Sequence, residues 1–257
     1  MATISSYQRR LADAQRRAAI QKSNLWARNL ATKRSKEVER VIAIASDRAE
    51  ARNWAMVFDT EFSEAAYFPS WYQGLIVNSG LLGVKPVVRS LAGAAAAKTF
   101  EYGIFEQSLM DYAQMRAADK VVTVSGTLLD ALKGEIYRVL DEDINCGVER
   151  MAQALRQYSK DNQLWMARRI AQTESLAGLA EGSHEAAESL DIPHTKVWVT
   201  SGLQNTRDSH LAMDGKEIDG NDMFIFDDCQ MRYAHDMDNG TAAQVVNCAC
   251  DTQYRPK

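Results

Sequence analysis

The sequence predicts an α+β protein: a mainly helical N-terminal two-thirds, made of a long basic helical arm and a helix bundle, followed by a small C-terminal α+β domain. Apolar residues recur at intervals of three and four from Ile4 onward, which is typical of the buried side of an amphipathic helix. Neither Gly nor Pro interrupts the first 54 residues. After Pro193, β-branched and aromatic residues alternate in short segments separated by turn residues, and this pattern favours strands.

Three consecutive segments are expected along the chain. Residues 1–54 form the basic helical arm, residues 55–190 a helical region with an aromatic-rich connection, and residues 191–257 the small α+β domain. The chain has 257 residues, of which 46% are hydrophobic and 25% are charged. This composition is sufficient for one large core or two modest ones.

Charge is distributed unevenly along the chain. Residues 1–53 contain 12 Lys and Arg against 5 Asp and Glu, a net charge of +7, whereas the remaining residues have a net charge of −11. A basic helix attracts a phosphate backbone or an acidic protein surface, and a solvated helix face is the alternative interpretation. The candidate contact residues are Arg9, Arg10, Arg16, Arg17, Arg28, Lys33 and Arg34.

The middle of the chain is predicted to contain helices separated by breaks. Residues 58–83 crowd six aromatic side chains around Pro69, and this connection is either a small core beneath a loop or a docking patch for a larger assembly. Residues 90–98 offer a small-residue face for another helix. The predicted elements are a helix over Val87–Ala118, a short strand or strained link over Lys120–Gly126, and helices over Thr127–Leu140, Asn145–Ser159 and Asn162–Gly182.

The last 67 residues alternate between strand and turn signals. Residues 185–257 carry 13 acidic and 6 basic side chains, so this domain is not expected to bind DNA unaided. The predicted elements are a strand over Lys196–Ser201, a helix over Thr206–Met213 capped by Thr206, a hairpin near Gly220, a strand over Met223–Phe226, an acidic loop over Asp227–Gly240 and a final strand that includes Cys248 and Cys250.

Targeting signals are not evident in the sequence. No run of 18 or more apolar residues occurs, and the first twenty residues contain four arginines without an apolar stretch, so neither a membrane span nor a signal peptide is expected. The four cysteines, Cys146, Cys229, Cys248 and Cys250, are therefore expected to be free thiols or metal ligands rather than disulfides.

One His and two Cys are expected to meet beneath the strand that contains Trp198. His210, Cys248 and Cys250 are ligands of the kind that Zn²⁺ takes, and His235, Asp236 or Cys229 could supply a fourth. The alternative interpretation is a packed polar core without metal. In that case His210 needs a hydrogen-bond partner, and Asp214 is the nearest carboxylate in sequence.

Residues from roughly 160 to 252 resemble the C-terminal domain of the phage Mu F-like head morphogenesis family. The order and spacing of the resembling residues both fit. They are Arg168, Arg169, Thr173, Glu174, Lys196, Trp198, Thr206 to His210, Asp214, Gly215, Phe224, Asn247, Cys248 and Cys250. Two positions depart from the family pattern: Ala249 stands where Arg is usual, and Tyr233 to Asp236 lacks the usual Pro.

The resemblance implies a minor head protein of a tailed double-stranded DNA phage. Such a protein acts in head morphogenesis with the portal protein, the major capsid protein or both, is made in the host cytoplasm, and lies inside the virion head. The resemblance also implies packaging with the genome and ejection with it. Contact with double-stranded DNA through the basic arm is the accompanying expectation.

The resembling residues are expected to join the last long helix to the small sheet, with Arg169 partly buried between them. This interdomain motif comprises Arg168, Arg169, Thr173, Glu174, Trp198, Arg207, Asp214, Gly215 and Asn247. No catalytic residue and no enzyme activity are expected. Two alternatives stay open: a metal-dependent nuclease or processing enzyme built on His210, Asn221 and His235, and a structural adaptor without DNA contact.

Overall fold

The computed structural model describes residues 4–48 and 53–257. Within these ranges the chain is mainly helical and all strands lie in its last quarter, which confirms the predicted α+β class. The helices are α1 (Ser6–Arg48), α2 (Trp54–Glu61), α3 (Phe68–Thr99), α4 (Gly103–Glu142), α5 (Val148–Ser189), α6 (Asp208–Met213) and α7 (Ala242–Val245). The strands are β1 (His194–Val199), β2 (Glu217–Asp219), β3 (Phe224–Ile225), β4 (Gln230–Met231) and β5 (Asp251–Pro256).

The long helices pass through most of the predicted breaks. The prediction that a helix begins near Val87 is wrong, because α3 starts at Phe68 and contains Pro86 in its interior. Proline removes one backbone donor there, but Val84 and Val88 on the same helix are fully buried, and that burial offsets the cost. The chain departs from helical geometry at Gly93 instead, where φ is +91°.

The predicted strand or link over Lys120–Gly126 is also wrong, since α4 is continuous through it. β-branched residues each cost at most about 0.7 kcal/mol in a helix, and the burial of Leu128, Leu132 and Ile136 at intervals of four is worth more. The two helices predicted between Asn145 and Gly182 are one helix, α5, because neither Gly nor Pro separates them.

The aromatic-rich connection is largely helical and buried. Phe68, Trp71 and Tyr72 lie in the first turns of α3 with their side chains inside the protein, and Phe68 stacks on Tyr72 with ring centroids 5.9 Å apart. The indole Nε1 of Trp71 donates a hydrogen bond to the Trp26 carbonyl at 2.9 Å. These three side chains therefore belong to a core, and the docking-patch interpretation is wrong for them.

Within the described residues, α3 alone has the length and composition that would allow a helix to cross a membrane. Half of its most apolar window is buried inside the protein, as in the core helix of a folded domain. Helix α3 is therefore only weak evidence for a membrane span.

The chain divides into two compact units that are discontinuous in sequence. The first consists of Met1–Asn24, Gly74–Ala113 and Ile170–Lys257, and the second of Leu25–Gln73 and Gln114–Arg169. This division differs from the three consecutive segments predicted from composition. Residues of the predicted arm contribute to both units, so α1 is not a separate appendage.

The second unit has a core formed by apolar residues from α1, α2, α4 and α5. Val38, Val41 and Ile42 of α1 are fully buried there with Trp54 and Phe58 of α2. An ion pair between Arg34 and Glu64 is also fully buried in this unit. The prediction that Arg34 contacts DNA or another protein is therefore wrong.

The first unit contains the three-stranded antiparallel sheet, in the order β2-β1-β5. Strand β1 pairs with β5 along its whole length, from His194 opposite Pro256 to Val199 opposite Asp251. Ile4, just before α1, and Ala12 in its first turns pack with apolar side chains of β1, so this part of the chain covers one side of the sheet. Strands β3 and β4 form a separate two-stranded sheet.

Helices α3 and α5 approach closely within the first unit. Gly80 of α3 lies against Gly178 and Gly182 of α5, and Gly83 lies against Leu179 and Ser183. The two backbones therefore touch where side chains would normally keep them apart. The small-residue face predicted at residues 90–98 does not form this close contact between helices, because Ala94 and Ala95 are exposed. The close-packing pattern is present in the sequence, but at different positions.

Candidate metal centre

His210 lies on α6, a helix of six residues whose buried side faces the sheet. Thr206 was expected to cap this helix, but the residue at the cap position is Arg207, and the Thr206 hydroxyl donates to the Leu203 carbonyl at 2.7 Å. The Arg207 guanidinium donates to the Val246 carbonyl at 2.6 Å. This bond ties the start of α6 to the segment that carries the two cysteines.

Cys248 and Cys250 lie in the loop between α7 and β5. Their predicted position within a strand is wrong, because the residues before them form α7 and Asn247 turns the chain with a φ of +55°. Asn tolerates this left-handed conformation better than most residues. The Cys250 N–H points at the Cys248 sulfur, 3.4 Å away, and both side chains are buried.

The predicted meeting of His210, Cys248 and Cys250 is confirmed. The Nδ1 atom of His210 lies 3.3 Å from the Cys250 sulfur and 3.5 Å from the Cys248 sulfur. All three ligand atoms lie within 4.8 Å of one another and all three residues are buried. The cluster also lies beneath Trp198 as predicted, with the indole ring 5.3 Å from the imidazole ring.

The hydrogen-bond partner of His210 is not the predicted Asp214. The Asp214 carboxylate accepts hydrogen bonds from the Thr200 backbone N–H at 2.9 Å and from Arg9 at 2.6 Å. The partner is Gln244, whose Oε1 lies 2.8 Å from His210 Nε2. Gln244 was missed because α7 has only four residues, too few to show a helical period.

Gln244 determines which imidazole nitrogen carries the proton. Its Nε2 donates to the Asp228 carboxylate at 2.8 Å, so its amide oxygen is the atom that faces His210. An amide oxygen only accepts, and therefore His210 Nε2 carries the hydrogen. The lone pair of Nδ1 is left pointing at the two sulfurs.

The two thiols influence each other. The hydrogen bond from Cys250 holds the pKa of Cys248 well below its ordinary value, although burial acts in the opposite direction. The same contact with Cys248, together with burial, raises the pKa of Cys250. The two sulfurs are therefore coupled, and the contact between them shifts the two pKa values in opposite directions.

Of the three predicted fourth ligands, Cys229 is a half-buried free thiol outside the cluster, and Asp236 and His235 differ in availability. Both carboxylate oxygens of Asp236 are occupied, by the Arg232 backbone N–H at 2.8 Å, by the Arg232 guanidinium at 3.0 Å and by Asn239 at 2.9 Å. His235 is 2% exposed, its Nε2 lies 3.2 Å from the Cys250 carbonyl, and its Nδ1 has no hydrogen-bond partner among the described residues. Asp236 is thus committed to Arg232, whereas His235 retains a free nitrogen.

A buried network supports the loop that carries His235. The Tyr233 hydroxyl donates to the Glu181 carboxylate on α5, and the Tyr233 ring packs on His184 with centroids 4.7 Å apart. Burial raises the pKa of Glu181, although the Tyr233 bond opposes this effect. Burial lowers the pKa of His184 to about 4, and nearby Arg232 and Lys196 lower it further.

We expect His184 to make folding less stable in mild acid. Its folded pKa of about 4 lies below its ordinary value of 6.5, so its contribution is complete above pH 6.5 and is lost as pH falls towards 4. The loss reaches about 3 kcal/mol. The raised pKa of Glu181 changes stability in the opposite direction with pH. The comparison is therefore between wild type and the variant His184→Gln, because both proteins contain Glu181. Denaturant titrations should show that wild type loses more stability than the variant between pH 7 and pH 4; parallel curves would contradict the assignment.

The interdomain motif is only partly buried. Thr173 and Glu174 are buried on α5, and the Thr173 hydroxyl accepts a hydrogen bond from the Asn247 N–H at 3.3 Å. Gly215, with φ of +78°, donates its N–H to the Trp198 carbonyl at 2.9 Å. Arg168 and Arg169 are exposed, so the prediction of a partly buried Arg169 is wrong. Both arginines lie on the solvent-facing side of α5.

The remaining predicted basic contacts separate into two groups. Arg9 pairs with Asp214, Arg16 pairs with Asp13 and donates to the Ala249 carbonyl at 3.2 Å, and the Lys33 ammonium lies 5.5 Å from the centre of the Tyr67 ring. These three have contacts within the protein. Arg10, Arg17 and Arg28 are exposed, and none of them forms an ion pair with another residue that the structure describes.

The nuclease arrangement expected from His210, Asn221 and His235 is not formed. Asn221 is exposed and lines a cavity of about 240 Å³ together with His194 and Lys257. His210 lines a different cavity, of about 250 Å³, with Arg207, Cys248 and Cys250. The three side chains therefore do not converge on one reacting group.

The chain shows a weak similarity to a known protein. No protein-family model matches the chain, and no solved structure matches it. The chain is similar to the NAD(+)–arginine ADP-ribosyltransferase EFV of Enterococcus faecalis (strain ATCC 700802 / V583), with 22% identity over 262 residues. The match covers 96% of this chain and 49% of that protein, so the chain spans about half the length of this relative.

Proposed function

We propose that the chain is a minor head protein of a tailed double-stranded DNA phage. It acts in head morphogenesis, contacts the portal protein or the major capsid protein, lies inside the head and leaves with the genome. The supporting observation is that residues carrying the resemblance to the phage Mu F-like family contact one another. Thr173 contacts Asn247, Trp198 contacts His210, and His210 contacts both cysteines.

These contacts connect parts of the chain that are distant in sequence. Thr173 and Asn247 are separated by 74 positions, and His210 and Cys250 by 40. A chance resemblance would place its matching residues independently of the fold. Residues that together build one buried centre instead support a shared structural unit.

Composition of a purified particle tests the head-protein proposal directly. The phage that encodes this chain should contain the protein in DNA-filled heads, detected by mass spectrometry, and deletion of its gene should yield defective or empty heads. A normal yield of infectious particles from the deletion strain, with the protein absent from wild-type heads, would overturn the proposal.

DNA contact is attributed to the exposed arginines of α1. Arg10 and Arg17 are seven residues apart and project from the same side of the helix. In the double variant Arg10→Glu/Arg17→Glu we expect weaker binding to duplex DNA and a slope of log affinity against log salt that is about 2 smaller in magnitude. The matched control is Lys85→Glu/Lys98→Glu, which reverses two exposed charges on α3.

The same titration separates the adaptor alternative from the proposal. If the wild-type protein shows no salt-dependent DNA binding, the chain is an adaptor that contacts only protein. If the control variant loses as much affinity as the α1 variant, binding follows net charge rather than this surface. Either result would remove DNA contact through α1 from the proposed function.

A second candidate is arginine-specific ADP-ribosyl transfer, which rests on the similarity reported above. Because the chain spans about half of that relative, the activity can belong to either half of it. Incubation of the purified chain with labelled NAD⁺ and an arginine-containing acceptor tests this candidate. Transfer of label to the acceptor would make the chain an enzyme and displace the structural proposal.

A further inference from the structure

We propose that the chain binds one Zn²⁺ ion through His210, Cys248, Cys250 and His235. The ion would hold together α6, the loop between α7 and β5 that carries the cysteines, and the loop between β4 and α7 that carries His235. This inference does not depend on the head-protein function. It concerns four buried side chains from three separate stretches of the chain.

The distances within the cluster fit a zinc tetrahedron. Zn–S bonds of about 2.3 Å and Zn–N bonds of about 2.0 Å place ligand nitrogen and ligand sulfur about 3.5 Å apart in a tetrahedron. His210 Nδ1 lies 3.3 Å and 3.5 Å from the two sulfurs. Small outward movements of these atoms would therefore admit the ion.

The protonation state of His210 is already that of a ligand. The Gln244 oxygen accepts the Nε2 proton, and Asp228 fixes the orientation of the Gln244 amide. Ligand imidazoles in zinc sites commonly donate their second N–H to such an oxygen, which fixes both the tautomer and the ring plane. The lone pair of Nδ1 is thus directed at the sulfurs before any metal arrives.

His235 has the same arrangement. Its Nε2 is positioned to donate to the Cys250 carbonyl at 3.2 Å, which leaves Nδ1 as an acceptor without a partner in a fully enclosed place. A buried polar atom without a partner costs free energy unless a ligand satisfies it. The contact with the Cys250 carbonyl places the ring beside the cluster.

The backbone at His235 is held in an unusual conformation. Its φ is +68°, and the bonds between Asp236 and Arg232 fix the residues on both sides of it. Positive φ is uncommon for His and strains the backbone. His235 lies outside the set of ligand atoms within 4.8 Å of one another, so its coordination requires Nδ1 to move towards the sulfurs when the ion binds.

Four protein ligands favour a structural ion over a catalytic one, although a cavity of about 250 Å³ borders three of them. His210, Cys248, Cys250 and His235 are each at most 3% exposed, and catalytic zinc sites keep one position open to water. Binding releases the two thiol protons to solvent, while both imidazoles stay neutral. The charge of the ion is then balanced by the two thiolates.

Metal analysis of the full chain, purified under reducing conditions, tests the site. We expect one Zn²⁺ per chain, a lower Tm after chelation, and X-ray absorption that fits two sulfur and two nitrogen ligands at about 2.3 Å and 2.0 Å. Absence of stoichiometric zinc both after purification and after anaerobic reconstitution of the apoprotein would overturn the proposal.

Cobalt titration of variants tests the individual ligands. His235→Gln should bind Co²⁺ at least tenfold more weakly and change its visible spectrum, and Cys248→Ser should lose more affinity. The matched controls are His194→Gln and Cys146→Ser, two buried residues outside the cluster. An unchanged affinity and spectrum in His235→Gln, or a wild-type absorption fit with water in place of the second imidazole, would overturn the assignment of His235.

Discussion

Replacement of Gly182 by Ala should destabilise the protein by about 3 kcal/mol or more. An added Cβ at this position would lie 2.2 Å from the Gly80 carbonyl oxygen and 2.6 Å from its carbon. These are backbone atoms, so no side-chain rotation relieves the overlap. Either α3 and α5 separate at this point or the backbone of one helix distorts, and both responses disrupt the packing of the first unit.

The matched control is Gly134→Ala, which places a methyl group in open space on α4. Alanine is favoured over glycine in a helix interior by about 1 kcal/mol, so this variant should be slightly more stable than wild type. Denaturant unfolding followed by circular dichroism measures both changes. Similar midpoints for Gly182→Ala and Gly134→Ala would show that the helices do not approach as closely as described.

The glycine contact illustrates what the sequence can predict about the helices. The periodic apolar residues indicate the helices themselves, and the structure has helices at those places. Which glycines meet depends on contacts between residues about 100 positions apart, and a local pattern carries no information about them. The same reason explains Pro86, where burial of neighbouring valines in the tertiary structure outweighs a local breaking signal.

The candidate site was predictable in composition but not in local structure. The type and spacing of His210, Cys248 and Cys250 indicated a cluster, and the cluster forms even though the cysteines lie in a loop rather than a strand. Gln244 was not predictable, because an amide in a four-residue helix has no distinctive pattern. Asp214 was the nearest carboxylate in sequence, yet backbone and arginine donors occupy it.

Arg34 shows a signal that was present and could have been used. Leu30, Arg34 and Val38 follow one another at intervals of four, so they lie on the same side of α1, and both apolar neighbours are fully buried. An arginine at such a position must be buried with a partner or distort the helix. Its basic surroundings suggested a surface residue instead.

Replacement of Arg34 by Ala should cost about 3–5 kcal/mol of folding free energy. Arg34 donates two parallel hydrogen bonds to Glu64, at 2.7 Å and 2.9 Å, and neither side chain is accessible to solvent. Tyr67 and Ser125 also donate to this carboxylate, each at 2.9 Å. Without Arg34 the Glu64 charge would keep only neutral donors in a place that water does not reach.

Arg40 provides the matched control on the same helix. It also forms two hydrogen bonds to a carboxylate, that of Glu37, but nearly half of its side chain is exposed to solvent. An exposed pair contributes at most about 1 kcal/mol, so Arg40→Ala should have little effect on the denaturation midpoint. Equal losses in the two variants would show that the Arg34 pair is solvated.

A double variant separates two contributions to the cost of Arg34→Ala: the lost attraction between Arg34 and Glu64, and the free energy of keeping an unpaired carboxylate buried. If the cost of Arg34→Ala arises mainly from the unpaired Glu64 carboxylate, then adding Glu64→Gln should restore part of the lost stability, because the amide is neutral and can still accept from Tyr67 and Ser125. The free energies of unfolding of wild type, both single variants and the double variant give the coupling between the two positions. Additive losses would mean that each side chain stabilises the second unit independently, and the pair would then not act as one buried contact.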